Sequence, residues 1–246
     1  MTTRTLQIPM PDGRTADALA AFPEGGAPHP AVLMYPDAFG IRPVLREMAE
    51  KLAGHGHYVL VPNYLYRNGP TPLVELPDHI GDEARDELIG QLLPLIHDHT
   101  AERTVDDAAA YLRFLAAQPE VAPGPVAVTG YCFGGLLAVR TAAAHPGEVA
   151  AVGAFHAPVA ADGAEQLGRL TAVEVHFGHA AGDITQEDLD SLNRTLDEAG
   201  LTYTSEIYPD TVHGFTMSDT SAYSPSALTH HWDSLLPLLS RRLHTS

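Results

Sequence analysis

One short segment, GYCFGG at residues 130–135, limits the possible folds of this chain more than any other. It follows an apolar run at 126–129 and precedes an alanine-rich run at 136–144 that is typical of a helix. The segment therefore predicts a strand, a sharp turn and a helix, with the thiol of Cys132 at the apex. Glycines flank the apex because the turn is strained and the strand and helix approach too closely to admit a Cβ.

Cysteine at this apex predicts a nucleophile. The G-x-C-x-G spacing matches a nucleophile elbow, with cysteine where serine usually stands. The turn holds the sulfur beside the positive end of a helix, which favours the thiolate. A lone cysteine is otherwise most often a small buried apolar residue, so its position in the elbow is what favours the catalytic interpretation.

The composition predicts one domain spanning residues 1–246, since chains of this length often form a single unit and 45% of the residues are apolar. Cys132 is the only cysteine, which excludes an intrachain disulfide framework and fits a reducing compartment. We see no signal peptide in the first residues, MTTRTL, and no apolar run near the ~18 residues of a membrane span. The prediction is a cytoplasmic protein, a monomer or a small homo-oligomer.

The net charge is −17, from 14 basic and 31 acidic residues. A surface of this sign repels phosphate backbones and anionic lipid, so neither nucleic acid nor a membrane is an expected partner. An acidic surface mainly aids solubility, and it does not identify a substrate.

Strand-like and helix-like stretches alternate along the chain. This pattern predicts an α/β fold with a doubly wound, mainly parallel sheet and helices on both faces, whose binding site lies beyond the carboxyl ends of the strands. Loop 62–80, rich in Pro, Asn and Gly, is a candidate lid. The predicted strands are Thr5–Ile8, Thr15–Ala21, Ala31–Tyr35, Tyr58–Val61, Val126–Thr129, Ala150–Phe155, Val173–Phe177 and Thr202–Tyr208. The predicted helices are Arg42–Gly54, Asp82–His97 with an interruption at Pro94, Thr104–Gln118, Glu187–Ala199 and Ser226–Arg242.

A thiol nucleophile needs a base and a third group that orients the base. In folds with this elbow the order along the chain is nucleophile, acid, histidine. Asp183 follows a predicted strand, and His213, in the turn His-Gly-Phe, follows the last one. The chain has 14 histidines, so position rather than residue type selects His213. Asp188 is a weaker candidate acid because it also suits a helix N-terminus.

The loop after the first central strand, residues 35–40, is where such folds supply a second oxyanion donor. We expect the backbone N–H groups of Phe133 and Ala38 to form the oxyanion hole. Asp37 in the same loop is expected to approach the sulfur and influence its proton, or alternatively to cap the turn. Aromatic residues near these loops are expected to form pocket walls: Phe39, Tyr64 and Tyr66.

Metal and cofactor chemistry is not predicted. The pairs His97/His99 and His176/His179 lack the i, i+4 spacing of a helical zinc site and have no companion cysteines. Neither a G-x-G-x-x-G motif nor a P-loop occurs, so no nucleotide cofactor is expected.

Taken together, these segments resemble the dienelactone hydrolase family of α/β-hydrolases over nearly the whole chain. The resemblance rests on residues 130–135, 36–40, 61–67 and 213–215. It implies an α/β-hydrolase fold and a triad of Cys132, Asp183 and His213. The implied activity is hydrolysis of lactones or small esters through an acyl-cysteine, with no cofactor.

The sequence departs from the family pattern at the substrate end. Asp37 replaces a glutamate that pairs with the thiol, and Met217 stands where an arginine binds the substrate carboxylate, so Met217 is a candidate pocket residue. Arg85 corresponds loosely to the family's other arginine. Two alternatives stay open: an acyltransferase or thioesterase, and a non-catalytic ligand-binding or redox-sensing member of the fold.

Overall fold

The chain folds around one sheet of eight strands, in a computed structural model that describes residues 1–26, 28–159 and 166–243. In chain order the strands are β1 (Thr2–Pro9), β2 (Thr15–Phe22), β3 (Ala31–Tyr35), β4 (Tyr58–Pro62), β5 (Val126–Tyr131), β6 (Val149–Phe155), β7 (Glu174–Ala180) and β8 (Thr202–Tyr208). The helices within the described residues are α1 (Pro43–Gly54), α2 (Asp82–Asp98), α3 (Ala101–Ala116), α4 (Phe133–Ala144), α5 (Gln186–Glu198) and α6 (Pro225–Leu243), with a 3₁₀ turn at Tyr66–Asn68.

The sheet is mainly parallel, as predicted. Its strand order is β1-β2-β4-β3-β5-β6-β7-β8. The β1–β2 hairpin and the β2–β4 pair are antiparallel, and every other pair is parallel. Parallel strands end at the same edge of a sheet, so the loops after β3, β5, β6, β7 and β8 gather there. This edge carries every predicted catalytic residue.

The helices cover both faces of the sheet, which confirms the α/β-hydrolase arrangement. Side chains alternate along β3, so that Val32 packs on one face and Leu33 on the other. Helices α1 and α6 cover the Val32 face, and α2 to α5 contribute to the core on the Leu33 face. Each fully buried large apolar side chain contributes about 1.5–3 kcal/mol, which makes these two layers the main source of stability.

Several element boundaries differ from prediction by a few residues, and two of the differences have a clear physical reason. Strand β7 continues to Ala180 because it pairs with β8 residue by residue up to Tyr208. Helix α2 passes through Pro94 without interruption, which corrects the predicted break. Pro94 and Gly90 are both exposed, so water can satisfy the carbonyl that proline leaves without a donor.

The loop predicted as a lid, residues 62–80, is anchored in its first half. The side-chain amide of Asn63 donates to Asp17 at 2.8 Å and to the carbonyl of Gly69 at 2.9 Å. Arg67 forms a salt bridge to the buried Asp107 at 2.6 Å. A lid function for the loop, and the single-domain assignment of 1–246, stay predictions. Within the described ranges, no helix has both the length and the apolar character needed to cross a bilayer.

Candidate active site

The elbow is a sharp turn between β5 and α4, with Cys132 at its apex. Cys132 has φ 55° and ψ −127°, a left-handed conformation that non-glycine residues rarely adopt. Its backbone N–H lies 3.1 Å from two acceptors, the carbonyl of Phe155 and Nδ1 of His156. Such strain persists only where surrounding contacts maintain it, and it places the thiol at the start of α4.

Two glycines of the predicted elbow allow the close packing. A Cβ on Gly130 would lie 2.1 Å from the carbonyl oxygen of Gly134. A Cβ on Gly134 would lie 2.3 Å from the carbonyl oxygen of Pro36. Glycine therefore lets the loop that holds Ala38 lie directly against the first turn of α4. The backbone amides of Ala38 and Phe133 belong to these two adjoining segments.

The structure brings the three predicted triad residues together. Asp183 lies in a turn after β7, with its N–H bonded to the carbonyl of Ala180 at 3.0 Å. Nδ1 of His213 lies 2.7 Å from Oδ2 of Asp183. Cys132 interacts electrostatically with the His213 ring, and the backbone carbonyl of His213 accepts from Arg85 at 2.9 Å. Asp188, the weaker candidate, forms a capping box with Thr185 at the start of α5, so it is structural.

The pKa of His213 is raised strongly. Burial alone would lower it, but hydrogen bonds and charge interactions with Asp183 and Cys132 raise the pKa to about 10. The imidazole therefore carries a proton across the neutral range. A cationic imidazole beside a sulfur favours the thiolate, the form of cysteine that attacks a carbonyl.

We expect this pKa shift to appear in the pH dependence of stability. The folded pKa lies above the usual 6.5, so the stabilisation is fully present below about pH 6.5 and is lost as the pH rises through about 10. The free energy of unfolding of the wild type should therefore approach that of His213→Gln over this range, measured by urea denaturation. The exposed His55 provides the control, since His55→Gln should keep the wild-type slope. A constant difference between wild type and His213→Gln would contradict the prediction.

Asp37 is bound by an arginine that the sequence did not point to. Both oxygens of Asp37 accept from Arg42, at 2.6 and 3.0 Å, and Arg42 also donates to Asp219 at 2.6 and 3.1 Å. The alternative turn-capping role is present, because the N–H of Phe39 donates to Asp37 at 3.2 Å. Influence of Asp37 on the thiol stays a prediction. Its charge is compensated by Arg42, which connects the loop at residues 35–40 to the loop that follows His213.

His156, which sequence reasoning missed, joins the elbow to the His213 loop. It is fully buried at the end of β6 and has φ 40°. Its Nδ1 accepts from the N–H of Cys132, so the proton sits on Nε2 and is donated to Thr216 Oγ1 at 2.8 Å. Burial, together with the charge of His213, lowers the pKa of His156 well below its ordinary value. The signal that points to it is its place directly after a predicted central strand.

A cavity of about 590 Å³ opens above Cys132. Its wall includes Ala38, Cys132, Phe133 and His213, together with residues of α2 and α4. Such a volume lies in the range typical of small-molecule sites. The walls are mainly apolar, and Cys132 and His213 both line them.

Only two of the four predicted pocket residues border a cavity. Phe39 and Met217 border a narrow crevice next to Cys132 and are buried. Tyr64 and Tyr66 are not among the described residues that line this crevice or the main cavity, which corrects their predicted wall positions. Tyr64 packs behind the wall, 5.9 Å from the Phe133 ring, and the Tyr66 hydroxyl bonds to Asp107 at 3.1 Å.

Within the described ranges, no group of three or more His, Cys, Asp or Glu side chains is arranged to hold a metal ion. His97 lines the main cavity, and His176 bonds to the hydroxyl of Tyr208 at 3.2 Å. Activity without a cofactor stays a prediction.

Comparison with known proteins identifies the family. The chain is 28% identical over 231 residues to a carboxymethylenebutenolidase from Rhodococcus opacus, covering 86% of this chain and 81% of the relative. Its fold matches a dienelactone hydrolase-like promiscuous phosphotriesterase from metagenomic libraries (TM-score 0.80, 22% identity, 98% of each chain). It also matches a dienelactone hydrolase from Anabaena variabilis (TM-score 0.71, 16% identity, 99% of each chain). Because the model of the dienelactone hydrolase family matches residues 16–243, this chain belongs to that family.

Proposed function

We propose that this protein hydrolyses a lactone or carboxylic ester through an acyl-cysteine intermediate on Cys132. Family membership makes the chain a hydrolase of ester or lactone bonds. The observation that carries the finer proposal is the 2.7 Å contact between the Asp183 carboxylate and the His213 imidazole, with His213 and Cys132 lining the same cavity. A nucleophile, a base and an orienting acid in that order supply the three roles that acyl transfer needs.

In the proposed acylation step, the sulfur of Cys132 attacks the substrate carbonyl carbon. The C–O π electrons move onto oxygen, and the N–H groups of Phe133 and Ala38 stabilise this oxyanion. Loss of one such donor typically costs about 3–4 kcal/mol of transition-state stabilisation. When the intermediate collapses, the ester C–O bond breaks and the imidazolium of His213 protonates the leaving oxygen.

In the proposed deacylation step, water attacks the thioester. His213, now neutral, takes a proton from the water, and the C–S bond breaks to release the acid and the thiolate. Asp183 holds the imidazole in one orientation and stabilises its cation in both steps. Proton and electron balance is complete with water alone.

Alkylation provides a direct test because the chain has a single cysteine. Iodoacetamide should modify the wild type at one site, Cys132, and aryl-ester hydrolysis should fall in proportion to the modified fraction. An ester substrate should slow the modification, and Cys132→Ala should not react. Full hydrolysis by the fully alkylated protein would overturn the proposal. A buried Cys132 that resists the reagent near neutral pH would favour a non-catalytic role instead.

A further inference from the structure

The main cavity is a groove between two helices. Its wall on α2 includes Arg85, Ile89 and Leu93, which are spaced four residues apart and so lie on one side of that helix. Its wall on α4 includes Phe133, Leu136 and Arg140, at i, i+3 and i+7. Both rows follow a helix axis for two turns or more. The cavity therefore extends away from the nucleophile rather than surrounding it.

Polarity changes along the groove. Near the triad lies Arg85, which bonds to the carbonyl of His213, and next to it Asp86. Beyond them the wall is mainly apolar, and polar side chains line it again at the other end: His97, His99, Thr100 and Arg140. Four aliphatic side chains form the middle: Ile89, Leu93, Ile96 and Leu136. A run of this kind suits a hydrocarbon chain, which has no hydrogen bonds to satisfy.

One of these four side chains, that of Leu93, is exposed to water, which is unfavourable for an apolar group. Leu93 has 41% of its surface accessible although it lies on the wall of the groove. It is one of few large apolar side chains exposed among the described residues of a chain with net charge −17. A single exposed apolar side chain is common on protein surfaces, so Leu93 is informative because it lines the same groove as Ile89, Ile96 and Leu136.

We infer that the groove between α2 and α4 binds the acyl chain of a medium-chain ester, of about octanoyl to decanoyl length. This inference rests on the proposed function. The leaving oxygen must lie beside His213 to receive its proton, and the carbonyl oxygen must lie beside the amides of Phe133 and Ala38. The remaining substituent of the carbonyl carbon, the acyl chain, then points away from His213, along Phe133 and Leu136.

The length of the groove determines the length of the acyl chain that it can hold. Arg140 is eight residues beyond Cys132, which is about 12 Å along a helix. A C–C bond of roughly 1.5 Å advances a zigzag chain by somewhat less than its own length, so eight to ten carbons span about this distance.

A series of p-nitrophenyl esters, from acetate to laurate, tests the inference. Full burial of a methylene is worth about a fourfold change in binding, and burial of about half its surface in an open groove is worth about twofold. We therefore expect kcat/KM to rise roughly twofold per methylene, and about sixtyfold over the six methylenes from acetyl to octanoyl, before it levels off. A kcat/KM that is highest for acetyl and falls with chain length would overturn the inference.

Leu93 and Val105 form a matched pair of variants, because Val105 is also an exposed apolar residue but does not line the groove. Leu93→Gln should lower kcat/KM for the octanoyl ester about fivefold and for the acetyl ester much less, as expected for the loss of one to two methylene contacts. Val105→Gln should change neither. Leu93→Trp, which narrows the groove, should move the preferred ester to a shorter chain. Equal effects of Leu93→Gln on both esters would contradict a role in chain binding.

A parallel series of alkyl acetates separates the two ends of the substrate. If alcohol length alone raises kcat/KM, and Leu93→Gln suppresses that rise, the groove binds the leaving group and the acyl assignment is wrong. Failure of the proposed function looks different, because all esters would then be hydrolysed equally by wild type and Cys132→Ala.

Discussion

Cys132→Ala is expected to lower kcat/KM for aryl esters and lactones by about 10⁴-fold or more, the scale seen when a covalent nucleophile is removed. The substitution deletes only the sulfur, and alanine meets the same backbone strain at φ 55° that cysteine already tolerates. The elbow should therefore keep its shape, and the free energy of unfolding should change only through the lost interaction between the sulfur and His213. Steady-state kinetics and urea denaturation on the same preparation check both expectations.

The triad should also behave as a unit. His213→Gln is expected to cost about as much as Cys132→Ala, and the double variant should cost little more than either single variant, because residues that act together are strongly non-additive. Additive losses would mean that the two side chains work in separate steps or separate sites. Turnover by Cys132→Ala at the wild-type rate would eliminate the acyl-cysteine altogether.

Arg42→Met is expected to lower the free energy of unfolding by about 3–5 kcal/mol, the usual cost of removing one partner from a buried ion pair. Arg42 is 7% exposed and holds two carboxylates, those of Asp37 and Asp219, through four hydrogen bonds. Burial alone would lower the pKa of Arg42, but these carboxylates hold it above its ordinary value. Methionine keeps most of the side-chain volume and leaves the charge of Asp37 without compensation. Urea denaturation at neutral pH measures the loss.

A second substitution separates charge from packing. Asp37→Asn on the Arg42→Met background removes the uncompensated charge and should recover part of the stability. Arg42→Lys should keep the positive charge but lose the planar guanidinium that bonds both carboxylates. Its free energy of unfolding should therefore lie between those of the wild type and Arg42→Met. If Arg42→Met lowers the free energy of unfolding by less than about 1 kcal/mol, the ion pairs of Arg42 contribute no more to stability than exposed ion pairs do. If the double variant recovers no stability, the loss in Arg42→Met comes from altered packing rather than from the uncompensated charge of Asp37.

Local patterns were sufficient for most of the fold. The elbow at 130–135 was readable because glycine spacing, an apolar strand and an alanine-rich helix all act over a few residues, and the structure has this turn. Strand Thr202–Tyr208 has its predicted bounds, and the helices on both faces follow from periodicity. Asp183 and His213 were placed by chain order at strand ends, and the structure brings them within 2.7 Å.

Contacts between segments that are distant along the chain could not be predicted from local sequence patterns. Tyr66 and Phe39 are both aromatic residues near strand ends, but only Phe39 borders the crevice beside Cys132. The hydroxyl of Tyr66 is taken by Asp107, forty-one positions along the chain, through a contact that no pattern in the sequence marks. Arg42 was readable only as the start of a helix, because its two acidic partners come from different loops.

The sequence by itself determined the doubly wound sheet, the thiol at its edge and the order of acid and histidine, since strand period, turn chemistry and helix propensity depend on neighbours along the chain. Only the tertiary structure decided that His156 contacts the Cys132 amide, that Arg42 compensates Asp37 and that α2 closes an apolar groove over α4. Those features depend on which side chains meet across the sheet edge. Their partners are set by the packing of the whole domain, which local residue patterns do not encode.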